Sequence, residues 1–125
     1  MSLRRKGELE HTVRRCHAIT GLRREMADYY FKLHECVWPG VLRAIARARI
    51  RNFSIAVHEI AGELYLFSYY EYVGEDYEAD MRRMAEDPET QRWWRETAPC
   101  QRPLPNAAAA EGVTWLDAKE VFHIF

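Results

Sequence analysis

The order of hydrophobic patterns along the 125 residues predicts an α+β domain, one antiparallel sheet with helices on a single face. Three observations predict it. Residues 52–60 and 63–73 each alternate apolar and polar side chains and are separated only by Ala61-Gly62, the signature of a β-hairpin. Apolar residues recur at helical spacing both before and after that hairpin. Strand-like runs lie near both ends.

Each element follows from local chemistry. Residues 1–12 are polar and read as a tail, with residues 13–125 as a single domain. Residues 14–22 read as a first strand. Met26, Tyr30, Leu33, Val37, Val41 and Ile45 then fall near helical spacing, but Pro39 interrupts them. Proline breaks a helix interior and suits a first turn, so the pattern predicts a helix over 24–36, a bend at Val37-Trp38 and a second helix over 39–48. After the hairpin, Gly74 ends the strand. Residues 76–86 and 89–97 read as two further helices, the second begun by Asp87 or Pro88. Residues 99–110 hold three prolines and four consecutive alanines and read as a partly ordered loop. Residues 119–125 read as the last strand. This β-α-β-β-α-β order is the ferredoxin-like pattern. The second face of so aromatic a sheet needs a cover, and a second copy of the chain is the simplest one, so a homodimer is expected.

Composition narrows the function. The chain is 48% hydrophobic and 30% charged, with a net charge of −1, which places it among globular proteins and away from nucleic-acid binders, which carry a basic surplus. Neither a signal peptide nor an apolar run of membrane-spanning length is visible. Cys16, Cys36 and Cys100 are odd in number and lack motif spacing, which argues against a disulfide framework and a zinc site and fits a cytoplasmic protein. The histidines have no mutual metal-ligand spacing, and glycine-rich phosphate loops are missing.

Two groups stand out. Tyr30 and His34, four apart, share one helical face; a histidine suits proton transfer near neutral pH, and a phenol one turn away can orient a substrate. Two core residues with polar tips would give the same spacing. Trp93 and Trp94, adjacent on a helix, point about 100° apart, so one can pack in the core while the other lines a cavity. Indole faces are platforms for the apolar side of a sugar.

Taken in order, Tyr30-x-x-x-His34 with Trp38-Pro39, Arg51-Asn52-Phe53-Ser54-Ile55, Gln91-Arg92-Trp93-Trp94 and Glu120-Val121-Phe122 resemble the L-rhamnose mutarotase family over roughly residues 14–125. The resemblance implies a ferredoxin-like domain that dimerises through its sheets into an α/β barrel. It implies exchange of the α and β anomers of a 6-deoxy monosaccharide with no cofactor and no metal. His34 then matches the proton donor, and Tyr30, Trp93 and Trp94 match sugar-binding residues. Phe53 stands where the family has a second substrate-binding tyrosine, so one hydroxyl is lost there. Tyr65, Tyr69 or Tyr70 is a candidate to replace it, and L-fucose or a related sugar becomes an alternative substrate. Two rival functions share these features: a cofactor-free monooxygenase-like dimeric barrel enzyme, and a non-catalytic sugar-binding dimer.

Overall fold

The computed structural model describes residues 13–105 and 114–125. Strand β1 (Arg14–Leu22) leads through a 3-10 turn (Arg24–Met26) into helix α1 (Ala27–Glu35). Helix α2 (Pro39–Arg47) follows. Pro39 occupies the first turn of α2 and Trp38 before it is extended (φ −60°, ψ 135°), as a residue preceding proline must be. The expected 24–36 helix therefore begins as a tighter turn, and the expected bend falls where Pro39 requires it.

Strands β2 (Ile50–Ile60) and β3 (Glu63–Tyr72) form the hairpin, with Ile60 paired to Glu63. Ala61 (φ 52°) and Gly62 (φ 84°) both adopt left-handed backbone, the geometry of a two-residue turn that matches strand twist. Helices α3 (Tyr77–Glu86) and α4 (Pro88–Thr97) come next. The Asp76 carboxylate accepts the Ala79 N–H, and the Asp87 carboxylate accepts the Thr90 N–H at 2.9 Å; each aspartate satisfies an otherwise orphaned helical donor. Gly40 lets α2 approach α4 closely, since a Cβ there would overlap the Glu89 carboxylate.

The sheet order is β2-β3-β1-β4, all antiparallel, which is the ferredoxin-like arrangement. The fourth position is split between β4 (Gln101–Arg102), opposite Leu22 and Gly21, and β5 (Leu116–Asp117), opposite Ile19 and Ala18. This corrects two expectations. The 99–110 stretch is not wholly loop, because it contributes a 3-10 turn (Ala98–Cys100) and β4; residues 106–110 lie outside the described residues, as do residues 1–12. Residues 119–125 form no strand. The ladder to β1 ends at Asp117; beyond it the chain is held by the Ala118 N–H, which donates to the His17 carbonyl at 2.9 Å, and by the Glu120 carboxylate, which accepts from Arg15 at 2.8 Å and meets His17 Nε2 at 3.0 Å.

The helices cover one face. Leu22, Ala27, Tyr30, Leu66 and Cys100 form the buried cluster, with Met26, Ile55, Leu64 and Trp115 packed against it. Leu22 and Leu66 are each 1% exposed, a burial that stabilises by about 1.5–3 kcal/mol per side chain.

Candidate active site

Tyr30 and His34 lie one turn apart on α1, with ring centroids 4.3 Å from each other. His34 Nδ1 sits 2.7 Å from the Tyr30 carbonyl oxygen. A carbonyl only accepts, so Nδ1 carries the proton and Nε2 is the nitrogen left for a substrate. The Trp93 indole, on α4, meets the imidazole edge-on at 5.1 Å and meets Trp38 at 5.0 Å. Thus a residue at the α1–α2 bend buttresses the tryptophan facing the histidine.

Tyr30, His34 and Trp93 line one cavity of about 420 Å³ between the helices and the sheet. Its other walls are mostly apolar, with Val41, Leu42 and Ile45 from α2 and Ile55, Val57 and Leu66 from the strands, and Ser54 of β2 adds one polar residue. Few polar groups thus face a ligand, and those few fix its orientation. Burial pushes the Tyr30 phenol up from its ordinary value, with a smaller opposing effect from the Gln101 side chain.

Phe53 reaches this cavity because of a backbone irregularity. Arg51 pairs with Glu71 and Ser54 with Tyr69, so two residues of β2 face the single Tyr70 of β3. This is a bulge, which re-aims side chains along a strand. Asn52 adopts left-handed backbone there (φ 53°), a conformation asparagine tolerates, and its amide donates to Glu71 at 2.6 Å. Phe53 is thereby turned onto the helix-facing side, where its ring lies 5.3 Å from Tyr70.

The structure thus brings together Tyr30, His34, Phe53 and Trp93. Trp94 does not line the cavity and is 41% exposed, as the angular separation of adjacent helical residues requires. Of the tyrosines considered as substitutes for the missing hydroxyl, Tyr65 and Tyr69 lie opposite Gly21 and His17, on the sheet face away from the helices. Tyr70 contacts Phe53, but its hydroxyl is bonded to that of Tyr77. The aliphatic wall from α2 and the contact between Gln101 and Tyr30 were not singled out from the sequence. The first is visible as apolar spacing, whereas the second joins residues far apart in the chain and leaves no local signal.

A second cavity, about 540 Å³, opens between α2 and α3. It sets Arg47, Arg49 and Arg83 against Asp80, Glu86 and Asp87. Arg47 pairs with Asp87 and Arg83 with Asp80, so its charges are largely spent within the protein. Among the described residues, no group of three or more His, Cys, Asp or Glu is arranged to hold a metal ion. No helix among them is long and apolar enough to cross a membrane.

The family model described as L-rhamnose mutarotase matches residues 14–124. The chain belongs to the L-rhamnose mutarotase family. It is thereby a sugar mutarotase, an isomerase that exchanges anomers. Within that family, it is similar to an L-rhamnose mutarotase of Listeria monocytogenes, with 30% identity over 97 residues, 78% of this chain and 85% of that protein. It is 27% identical to that of Bacillus subtilis over 112 residues, covering 90% of this chain and 99% of the relative. The crystal structure of an L-rhamnose mutarotase from Formosa agariphila shares the fold, with a TM-score of 0.63 at 19% identity, covering 90% of this chain and 99% of that one.

Proposed function

We propose that this mutarotase acts on L-rhamnose, with the cavity beside His34 as its active site. The observation that carries the reading is the imidazole held between Tyr30 and Trp93 in a mostly apolar cavity. Anomer exchange requires the ring oxygen to gain a proton while the anomeric hydroxyl loses one. The bond from C1 to the ring oxygen breaks, the aldehyde rotates about C1–C2, and closure on the other face returns both protons. Nδ1 of His34 stays bound to the Tyr30 carbonyl throughout, so protonated Nε2 gives its proton to the ring oxygen on opening and takes it back on closure, while a water takes the anomeric hydroxyl's proton on opening and returns it on closure. The reaction needs no redox change and no covalent intermediate. General acid–base catalysis of this kind contributes about 10²–10⁴-fold.

Trp93 offers its face to the apolar side of the sugar, and Tyr30 a hydroxyl. The aliphatic wall from α2 suits the methyl group that distinguishes a 6-deoxy sugar. Phe53 removes one hydrogen-bonding group, which costs about 1–3 kcal/mol where a substrate hydroxyl is left unmatched; hydroxyl stereochemistry at that position is therefore read weakly. NMR saturation transfer between the anomeric protons of L-rhamnose, L-fucose and D-glucose tests the assignment. Exchange enhanced most for L-rhamnose is expected, and enhancement greatest for another sugar would reassign the substrate.

The assembly we infer is a homodimer formed through the open sheet face. Ile60 is 47% and Phe67 36% exposed, and Val121, Phe122 and Ile124 are each more than three-quarters exposed. Apolar surface of this extent marks an interaction site. Sedimentation at micromolar concentration is expected to give twice the chain mass. Cys16, Cys36 and Cys100 are free thiols, in keeping with a reducing, cytoplasmic location.

A further inference from the structure

Behind Tyr30 runs a polar chain linking residues from four segments, buried at Thr20, Gln101 and Tyr30 and half-buried at Thr114. Thr20, on β1, is fully buried and donates its hydroxyl hydrogen to the Thr114 carbonyl. The Thr114 hydroxyl donates to Gln101 Oε1 at 2.6 Å. Gln101, 6% exposed, directs Nε2 at the Tyr30 hydroxyl, 3.5 Å away. Buried polar groups in an apolar surrounding are retained where their partners are fixed.

The Gln101 amide stands with Oε1 toward Thr114, whose hydroxyl donates to it, and with Nε2 toward Tyr30. An NH₂ group only donates, so the phenolic oxygen accepts there. The phenol's own hydrogen must then find its acceptor elsewhere, and Tyr30 lines the cavity that also holds His34.

We propose that Gln101 is a positioning residue that makes Tyr30 a hydrogen-bond donor toward the sugar. The inference rests on the proposed active site and adds a residue to it. His34 presents Nε2 as the proton-exchanging atom, and Tyr30 presents a donor one helical turn away. One wall thus offers proton exchange and a hydrogen-bond donor to adjacent sugar oxygens, with the donor's direction fixed before substrate arrives. Such preorganisation is what holds a reacting group in register.

The test is a double-mutant cycle on anomer exchange with Gln101→Leu, Tyr30→Phe and the pair, resolving kcat and KM. Gln101→Leu is expected to lower kcat/KM about five- to tenfold, the scale of one hydrogen bond. In the Tyr30→Phe background it should change nothing further. An equal loss in both backgrounds would show that Gln101 acts only on the fold and would overturn the proposal. A second arm needs no activity. In protein labelled with [¹³Cζ]tyrosine, the resonance missing from Tyr30→Phe identifies Tyr30. Loss of the amide donor removes a group that favours the phenolate, so Tyr30 should titrate at higher pH in Gln101→Leu, or in Gln101→Met where leucine impairs folding. An unmoved titration would also overturn the proposal. A wild-type protein inactive on L-rhamnose would count against the substrate assignment, while the titration still decides the role of Gln101.

Discussion

The two faces of the sheet are built from the same alternating strands yet end in opposite conditions. On the helix-covered face, Thr20, Leu22 and Leu66 are almost wholly removed from water. Among the described residues, no buried side-chain nitrogen or oxygen lacks a hydrogen-bond partner. On the open face, Arg15 and His17 both meet the Glu120 carboxylate in a half-buried cluster, and Tyr69 donates to Glu71 at 2.7 Å. Phe67 and Ile60 remain partly in water beside them. A side-chain period of two sends neighbours in sequence to opposite fates. Chemistry that depends on one proton and a few fixed dipoles belongs on the dry face, where electrostatic interactions are not diluted by solvent. The wet face retains the character of an interface.

Substitutions on adjacent residues break this comparison most sharply. Leu66→Ala should cost about 2–5 kcal/mol of stability in denaturant unfolding, because the hole left among Leu22, Tyr30 and Cys100 refills poorly. Phe67→Ala, one residue on, should change monomer stability by no more than about 0.5 kcal/mol and should instead weaken the dimer in sedimentation. Equal destabilisation by both would mean the faces are not distinct.

A smaller effect is expected at the bulge. Asn52→Val puts a β-branched residue in left-handed backbone and removes the bond to Glu71, a change that should cost about 1–3 kcal/mol and raise KM as Phe53 loses its direction. Smaller again is the contrast within the tryptophan pair: Trp93→Phe should raise the KM for sugar more than Trp94→Phe, since only Trp93 lines the cavity. The least effect concerns the last residues. Hydrogen bonds from Arg15, then His17, hold the Glu120 carboxyl down at about 2. Its folded value lies below its ordinary value of 4.5, so its anchoring is complete above that value and is lost as pH falls through about 2. Backbone order at residues 119–125, read by NMR relaxation, should therefore fall on acidification below pH 4.5, while that of the β2–β3 hairpin is unchanged.

Much of this was legible in the sequence because local rules decided it. Pro39 fixed the α1–α2 bend, Asp76 and Asp87 marked helix starts, and Ala61-Gly62 marked the hairpin. The face shared by Tyr30 and His34 followed from helical spacing alone. What was not legible depends on partners distant in the chain. The alternation of residues 119–125 resembles a strand, but Glu120 is held instead by the side chains of Arg15 and His17, partners far away in the chain. The bulge at Asn52 is set by register against β3 and cannot be read from β2 by itself. Gln101 sits in a proline-rich stretch with no pattern, and its contact with Tyr30 exists only once β4 has docked beside β1.

The most direct test of the account is saturation transfer between the anomeric protons of L-rhamnose in the presence of wild-type protein and of His34→Ala. Enhanced exchange that falls by about 10²-fold or more in the variant, with the fold intact by circular dichroism, is the predicted result. Enhancement that survives the loss of the imidazole would contradict the assignment of proton transfer to His34.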